Sequence, residues 1–267
     1  MSDDPSRTPP VGIGNARAAL ADQGYILTSD RMLGLPSNLR QSILDTHFNG
    51  PDRALRHDEG DRPDDRLRAR DVIQYQWRDA GSLELWEYDN ITLTDRAGIP
   101  GKRDHARVRF LDDPLGKQLV HTLLQLVPPD RRQADGTFGV NLFRTFTNVV
   151  TNAHRDDEEF VILYALDRVG KGAVSYLYEA GCDFAAGKPI AKPVLQHQLN
   201  QGEILVFDDE RFIHDVSPLE ASRDGMTQRD MLVCTVDYRS TYLDEAPERA
   251  SEAVFAGSQA PSGGKPG

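Results

Sequence analysis

From Gly139 onward the chain is built of short segments rich in β-branched and aromatic residues, separated by turn signals such as Val169-Gly170-Lys171-Gly172. Such segments are typical of β-strands, because these side chains pack well on a pleated surface. The segments cover residues 140–150, 159–166, 173–178, 203–207, 212–216 and 231–238. The helices that would cross between parallel strands are missing from this region. The pattern therefore predicts a β-sandwich or barrel over about 138–238.

Helical patterns lie in the first half of the chain, where apolar residues recur at helical spacing before a glycine or proline. Three segments show this pattern: 15–23, 38–47 and 115–126. We expect these helices to pack against the β-core in a single domain that covers 12–245. The polar, Pro- and Gly-containing segments 1–11 and 246–267 are predicted to be flexible tails.

The stretch 49–71 is crowded with Asp, Arg, Gly and Pro. Such a stretch is usually a solvated loop, although a loop of this length can also close over a site as a lid. Both interpretations remain open from the sequence. The front half also carries the aromatic residues Tyr75, Trp77, Trp86 and Tyr88. We expect them to pack the helices onto the core, with a wall of the substrate pocket as the alternative.

Composition narrows the class of partner. The net charge of −11 and the pI of about 5.1 argue against nucleic acid or an anionic membrane, both of which attract basic surfaces. No apolar run approaches the ~18–20 residues that span a bilayer, and the first residues lack the apolar core of a signal peptide. We therefore expect a cytoplasmic protein in which Cys182 and Cys234 are reduced thiols.

The most informative motif is His154-Arg155-Asp156, followed 58 residues after the aspartate by His214. Alternate residues of a strand lie on one face, so His154 and Asp156 can bind one ion, while His214 arrives from a separate strand. Two imidazoles and one carboxylate with open coordination positions are the ligand set of a non-haem Fe(II) oxygenase. The sequence therefore predicts that these three residues form an Fe(II) centre.

A rival triplet, His57-Asp58-Glu59, lies in the charged stretch and has no matching downstream histidine and arginine. A histidine two positions before an acidic residue is common by chance, so neither triplet is specific by itself. The remaining histidines are isolated in the sequence, and we expect surface or core roles for them. They are His47, His105, His121 and His197.

Arg229 follows His214 by 15 residues and opens a predicted strand. A planar guanidinium can bind the remote carboxylate of 2-oxoglutarate through two charge-assisted hydrogen bonds. The alternative is an ordinary ion pair with Asp230 or Glu220. Arg223 competes for the same role, but its surroundings predict a turn. We predict that Arg229 binds the co-substrate.

Four stretches carry a family resemblance: Asn141-Leu142-Phe143-Arg144-Thr145, His154-Arg155-Asp156 through Glu159-Phe160-Val161, Leu205-Val206-Phe207-Asp208-Asp209 through His214-Asp215-Val216-Ser217-Pro218, and Arg229-Asp230-Met231-Leu232-Val233. Through them the segment 139–238 resembles bacterial 2-oxoglutarate dioxygenases that hydroxylate free amino acids, the L-isoleucine dioxygenase type. Hydroxylases of cyclic amino acids in secondary metabolism, such as those acting on pipecolic acid, are similar as well.

The resemblance implies a mainly β fold, a double-stranded β-helix (jelly-roll, cupin-like) core with the N-terminal α-helices packed against it. It also implies Fe(II), 2-oxoglutarate and O2 as cofactor and co-substrates, with release of succinate and CO2. The chain departs from the family at Asp157, where the family has glycine after the metal-binding aspartate. Because Asp156 is present, halogenation is disfavoured: similar halogenases carry a small residue there.

A free amino acid needs a cation for its carboxylate and an anion for its ammonium group. Arg144, just before the metal motif, and Glu159, just after it, are the candidates for substrate binding. The alternatives are a salt bridge at the barrel mouth for Arg144 and a surface strand position for Glu159.

The function predicted from these residues is hydroxylation of an unactivated C–H bond of a free L-amino acid, aliphatic or cyclic. Desaturation, or action on a carrier- or peptide-bound residue, is possible at the same centre. A non-redox cupin-like binding protein or isomerase is the third hypothesis. Arg229 argues against this third hypothesis, because a metal-only cupin has no need of a buried arginine on that strand.

Overall fold

The computed structural model describes residues 11–51, 53–57, 65–78, 82–87, 93–94, 102–103, 106–146, 152–185, 188–223 and 225–237. Its α-helices are α1 (Val11–Gln23), α2 (Leu39–Ile43) and α3 (Pro114–Leu124), and α2 continues as a π-helical turn over Leu44–Phe48. The strands are β1 (Tyr25–Ser29), β2 (Arg66–Trp77), β3 (Leu83–Glu87), β4 (Leu93–Thr94), β5 (Lys102–Arg103), β6 (Asp135–Thr145), β7 (Phe160–Val169), β8 (Lys171–Gly172), β9 (Val174–Glu179), β10 (Phe184–Ala185), β11 (Lys188–Pro189), β12 (Leu195–Gln198), β13 (Glu203–Asp208), β14 (Phe212–Val216), β15 (Leu219–Glu220) and β16 (Gln228–Val236).

Two antiparallel sheets form the core of the fold. The larger has seven strands in the order β1-β13-β7-β16-β6-β2-β3, and the smaller has the order β12-β9-β14. Short connections join the two sheets, since β7 leads through β8 into β9, and β13 leads through Asp209–Arg211 into β14. The mainly β class with a jelly-roll core, predicted from the sequence, is confirmed.

The two faces of the larger sheet bury different apolar clusters. One face packs against the helices, with Phe138, Phe160 and Tyr164 beside Leu39 and Phe48. The opposite face, which we call the interior face, packs against the smaller sheet. Its cluster contains Val161, Leu205, Phe207 and Met231 from the larger sheet with Leu177 and Phe212 from the smaller one. Residues of odd and even number alternate between the two faces, as the pleat of a strand requires.

The predicted helices are present, with shifted ends. α1 begins at Val11 rather than residue 15, and α3 has Asp113 as its N-cap, which accepts a hydrogen bond from the Leu115 backbone N–H at 2.9 Å. None of the described helices is long and apolar enough to cross a membrane. Cys182 and Cys234 are both free thiols.

The prediction of a loop over the charged stretch 49–71 is only partly correct. Residues 66–71 are not a loop: they form the first half of β2, which pairs with β6 from Arg66 to Gln76. Residues 52 and 58–64 lie outside the described part of the chain, so the question of a lid stays open there. Most of the predicted tails, residues 1–10 and 246–267, also lies outside it.

Candidate metal and co-substrate site

His154 and His214 lie side by side through a backbone bridge. The His154 N–H donates to the His214 carbonyl oxygen at 3.1 Å, and the His214 N–H donates to the His154 carbonyl at 2.9 Å. His214 is on β14, where its other neighbour is Leu177 of β9. The His154 segment therefore extends the smaller sheet past β14 on the side away from β9. This pairing brings His214 beside the motif, although it follows Asp156 by 58 positions in the sequence.

Three side chains converge at this bridge. The Nε2 atoms of His154 and His214 each lie 3.6 Å from a different oxygen of Asp156, and the two imidazole centroids are 4.3 Å apart. One ligand atom from each residue lies within 4.8 Å of the others, and no second such group of His, Cys, Asp or Glu occurs in the described residues. Two nitrogens and one carboxylate at this spacing fit a divalent first-row metal with free coordination positions. The carboxylate is also the main cause that raises the pKa of His154, so the cluster favours a positive charge.

The outer nitrogen of each imidazole faces an oxygen. His154 Nδ1 lies 2.8 Å from the Asn152 carbonyl oxygen, to which its N–H donates, and this leaves the Nε2 lone pair for a metal. His214 Nδ1 lies 3.7 Å from Oδ1 of the buried Asp209. Neither of these last two atoms has a hydrogen-bond partner among the described residues. No role for Asp209 was predicted from the sequence, although it lies in the Phe-Asp-Asp stretch that carries the resemblance.

The other histidines have ordinary environments where the structure describes them. His47 is buried and stacks on Phe110 with centroids 5.5 Å apart, and His197 lies 2.8 Å from Glu203. His121 lies near Gln125 on α3. His57 is exposed, while its rival-motif partners Asp58 and Glu59, like His105, lie outside the described residues.

Arg229 lies on the interior face of β16, with Met231 and Val233 following on the same face. Burial, with Arg168 as a smaller cause, lowers the pKa of Arg229 to about 10. Its cross-strand neighbour on β7 is Arg168, and no acidic side chain among the described residues forms an ion pair with it. Asp230 pairs with a different arginine, so the structure does not show the ordinary ion pair considered as an alternative. The Arg229 guanidinium is thus available to an anionic ligand.

The competing Arg223 lies in an exposed turn, closed by a hydrogen bond from the Ser222 N–H to the Met226 carbonyl at 2.9 Å. An arginine in such a position is solvated, and its contact with a buried carboxylate would require the turn to move. Arg168, which the sequence analysis did not single out, is a second cation beside Arg229 on the interior face.

The structure does not support Arg144 as the residue that binds the substrate carboxylate. Arg144 lies on the opposite face of the sheet, where it forms a two-point ion pair with the buried Asp230. Its remaining donors bind the Phe48 carbonyl at 3.1 Å and the Asn49 side chain at 2.9 Å. This guanidinium links β6 to the end of α2 and has a structural environment, so the salt-bridge alternative describes it better.

Glu159 is likewise engaged by another part of the protein. Its carboxylate accepts a hydrogen bond from Arg131 at 2.9 Å, and Arg131 also binds Asp208 at 2.9 Å. This network joins the turn after α3 to the ends of β7 and β13. An ammonium group of a substrate would have to compete with the Arg131 guanidinium, so the geometry gives no support to Glu159 as its receptor.

Aromatic residues of the front half are partly accounted for by packing. Tyr75 is buried on the helix-facing side of β2 and hydrogen-bonds to Asp237, and Trp77 stacks under the Arg132 guanidinium at 4.3 Å. Trp86 is half-buried on β3, and Tyr88 lies outside the described residues.

The departure from the family at Asp157 has a backbone consequence. The backbone of Asp157 has φ +60°, which lies in the left-handed region. Glycine adopts this conformation without steric cost, and aspartate adopts it more readily than most other residues. Its side chain is exposed, 3.5 Å from Arg155.

A family model described as 2OG-Fe dioxygenase matches residues 64–235 of the chain. Among solved structures, the fold is similar to that of a bsmA homolog from Methylobium petroleophilum PM1, with a TM-score of 0.67, 20% identity, and coverage of 85% of this chain and 93% of that one. It is also similar to IDO from Bacillus thuringiensis, with a TM-score of 0.59, 18% identity, and coverage of 85% and 99%. It is similar as well to the Fe(II)/(alpha)ketoglutarate-dependent dioxygenase TqaL, with a TM-score of 0.64, 13% identity, and coverage of 92% and 96%. At these sequence identities, the structural similarity shows only that the fold is shared. No curated protein matches the chain.

Proposed function

Because the chain belongs to the 2OG-Fe dioxygenase family, we propose that it hydroxylates an unactivated C–H bond of a free L-amino acid, aliphatic or cyclic. Membership makes the protein a 2-oxoglutarate-dependent dioxygenase that uses Fe(II), 2-oxoglutarate and O2 and acts on a small molecule. The proposal adds the class of substrate and the residues that hold each component.

The proposal is carried by a metal-ligand cluster and an arginine on the same side of the larger sheet, where no acidic side chain of the described residues pairs with that arginine. Phe207 of the interior face lies 5.2 Å from the His214 ring, and it shares one apolar cluster with Met231, the next interior residue after Arg229. A metal held by His154, Asp156 and His214 and a carboxylate held by Arg229 would therefore both face the space between the sheets.

In this proposal His154, Asp156 and His214 hold Fe(II), and Arg229 binds the remote carboxylate of 2-oxoglutarate. When bound, the iron supplies the activation of O2 that is coupled to oxidation of 2-oxoglutarate to succinate and CO2. A buried carboxylate without a partner would cost several kcal/mol, so the Arg229 guanidinium makes the dry interior accessible to the dianion. The apolar cluster beside His214 excludes water from the reacting C–H bond.

A free amino acid as substrate is supported by the motif resemblance across 139–238, which includes the stretches around His154 and His214. The third hypothesis, a binding protein or isomerase without redox chemistry, is set aside because the family is one of dioxygenases. Desaturation, or action on a carrier- or peptide-bound residue, remains a different outcome of the experiment.

The deciding experiment incubates the Fe(II) enzyme with 2-oxoglutarate, O2 and single free L-amino acids, including L-isoleucine, L-proline and L-pipecolic acid. Succinate formation and product mass are read together. We expect at least one free amino acid to stimulate succinate formation and to gain one oxygen atom, while its N-acetyl and ester forms stay unchanged. A product lighter by two hydrogens, or turnover of only a peptide-embedded residue, would contradict the proposal.

A further inference from the structure

The first half of β2 carries three arginines on one face of the sheet. Arg66, Arg68 and Arg70 alternate with Leu67 and Ala69, which pack on the helix side. The Arg68 guanidinium lies over the Phe143 ring at 5.4 Å, and Phe143 packs on the interior cluster. By the alternation of a strand, all three arginines belong to the interior face.

The register of the sheet shows how far this positive charge extends. Arg66 of β2 lies opposite Thr145 of β6, Thr145 lies opposite Arg229 of β16, and Arg229 lies opposite Arg168 of β7. This row of cross-strand neighbours therefore contains three arginines. From that row to the one that begins at Val72, the interior positions of these four strands contain five arginines and no acidic residue. A face that carries several arginines and no acidic residue has a positive potential, so it is suited to anionic ligands.

Arg70 is the arginine of this group whose surroundings leave it available. Within the described part of the chain, its buried Nε has no hydrogen-bond partner and its guanidinium forms no ion pair. Its backbone is held by the Ala106 carbonyl at 2.8 Å and the Val108 N–H at 2.9 Å, so the strand is fixed while the side chain is not.

The position of Arg70 separates it from Arg229. The two residues are four positions apart along the sheet and two strands apart, which is about 13 Å along the strands and about 10 Å across them. One carboxylate bound by Arg229 is therefore not shared with Arg70. The next interior row of cross-strand neighbours beyond Arg70, on the side away from Arg229, begins at Val72 and passes through Thr235 to Phe207. The Phe207 ring lies 5.2 Å from the His214 ring. Arg70 thus lies nearer than Arg229 to the level of the metal ligands.

The order of strands also places β2 on the side where the smaller sheet ends. The chain leaves β6 at Thr145 and reaches His154, the outermost described segment of the smaller sheet beyond β14. β2 is the strand beyond β6, so its interior face continues past the metal-binding segment. A molecule bound there would lie beside the metal rather than behind it.

We propose that Arg70 binds the carboxylate of the substrate and so selects a small carboxylic acid, the role predicted from the sequence for Arg144. This inference rests on the proposed function for its amino-acid form, but the requirement for a carboxylate stands on the arginine face alone. Arg66 and Arg68 add positive potential beside the bound anion.

The test measures dissociation constants with Mn(II) in place of Fe(II) and with 2-oxoglutarate bound, so that binding is read without turnover. The probes are L-isoleucine, L-pipecolic acid, L-isoleucinamide, which lacks the carboxylate, and 3-methylpentanoate, which is isoleucine without its amino group. The variants are Arg70→Met and Arg70→Lys. Arg78→Met is the matched control, because Arg78 lies just after β2 in an exposed pair with Glu84. Thermal unfolding of each variant checks the fold.

We expect Arg70→Met to weaken binding of both amino acids by about 30-fold or more, with the affinity for 2-oxoglutarate unchanged. Arg70→Lys should recover part of the loss, and Arg78→Met should have no effect. L-Isoleucinamide should bind the wild type weakly and be insensitive to Arg70→Met, because the interaction it would lose is already absent.

Unchanged amino-acid binding in Arg70→Met, or an equal loss for 2-oxoglutarate, would overturn the role of Arg70. Arg70-dependent binding of 3-methylpentanoate without binding of either amino acid would support the carboxylate site and overturn the amino acid as substrate. If the wild type binds none of the carboxylate probes, both proposals fail.

Discussion

Arg144 and Asp230 form a two-point ion pair on the helix-facing side of the larger sheet, with Nε–Oδ1 at 2.8 Å and Nη2–Oδ2 at 2.7 Å. The Asp230 side chain is fully buried and that of Arg144 is 10% exposed. The pair joins neighbouring positions of β6 and β16 and, through Phe48 and Asn49, fixes the end of α2 against the sheet.

The pair leads to a prediction about stability. Arg144→Met should lower the free energy of unfolding by about 3–5 kcal/mol, because it leaves the Asp230 carboxylate buried without its cation. Urea denaturation measures this change. The double variant Arg144→Met/Asp230→Leu should recover much of the loss, since no buried charge remains. A variant of normal stability whose KM for the amino acid is raised would return Arg144 to the substrate site.

A second prediction concerns the metal ligands. His214→Ala should abolish succinate formation and weaken Co(II) binding, followed by visible absorption under nitrogen, because it removes one of the two imidazoles. His57→Ala is the matched control, as it removes the exposed histidine of the rival motif and should leave both readings unchanged. Wild-type metal affinity in His214→Ala, or its loss in His57→Ala, would refute the assignment.

The third prediction separates co-substrate from substrate. Arg229→Met should raise the dissociation constant for 2-oxoglutarate by an amount equivalent to about 3–5 kcal/mol, because the remote carboxylate loses its only bidentate partner. Titration of the Mn(II) form measures it. Arg223→Met, in the exposed turn that precedes β16, should bind 2-oxoglutarate normally. The reverse pattern would move the co-substrate site to Arg223.

The metal cluster could be predicted from the sequence because it depends on local chemistry and spacing. His154 and Asp156 are two positions apart, and the strand that brings His214 beside them is marked by its own apolar residues. The face on which Arg144 lies could not be predicted, for a physical reason: β6 carries apolar residues on both faces. Leu142 and Phe143 are both apolar, so the alternation does not reveal which face lies inside the barrel. The ion pair between Arg144 and the buried Asp230 shows that Arg144 lies on the helix-facing side of the sheet.

The strand β2 was missed for a different reason. Its residues 66–71 alternate arginine with leucine and alanine, but the surrounding Asp, Gly and Pro made the stretch resemble a solvated loop. The arginines are buried or half-buried on the interior face. Charged residues are unusual in such positions, so their alternation with apolar residues did not indicate a strand. The strand that carries the proposed carboxylate site thus lay in the part of the chain that the sequence described least well.

The last prediction concerns Asp209 and the orientation of His214. The Asp209 Oδ1 and His214 Nδ1 atoms are 3.7 Å apart, both buried and both without a hydrogen-bond partner among the described residues, while Oδ2 accepts from the Glu158 N–H at 3.1 Å. A small rotation of the imidazole would close this gap into a hydrogen bond, holding the proton on Nδ1 and directing Nε2 to the metal. Asp209→Ala should therefore weaken Co(II) binding roughly 10–100-fold. Asp157→Asn is the control, because it removes an exposed carboxylate that follows the ligand Asp156 without touching His214. If both variants lose affinity equally, Asp209 acts only through its charge. A loss confined to Asp209→Ala supports orientation of the imidazole.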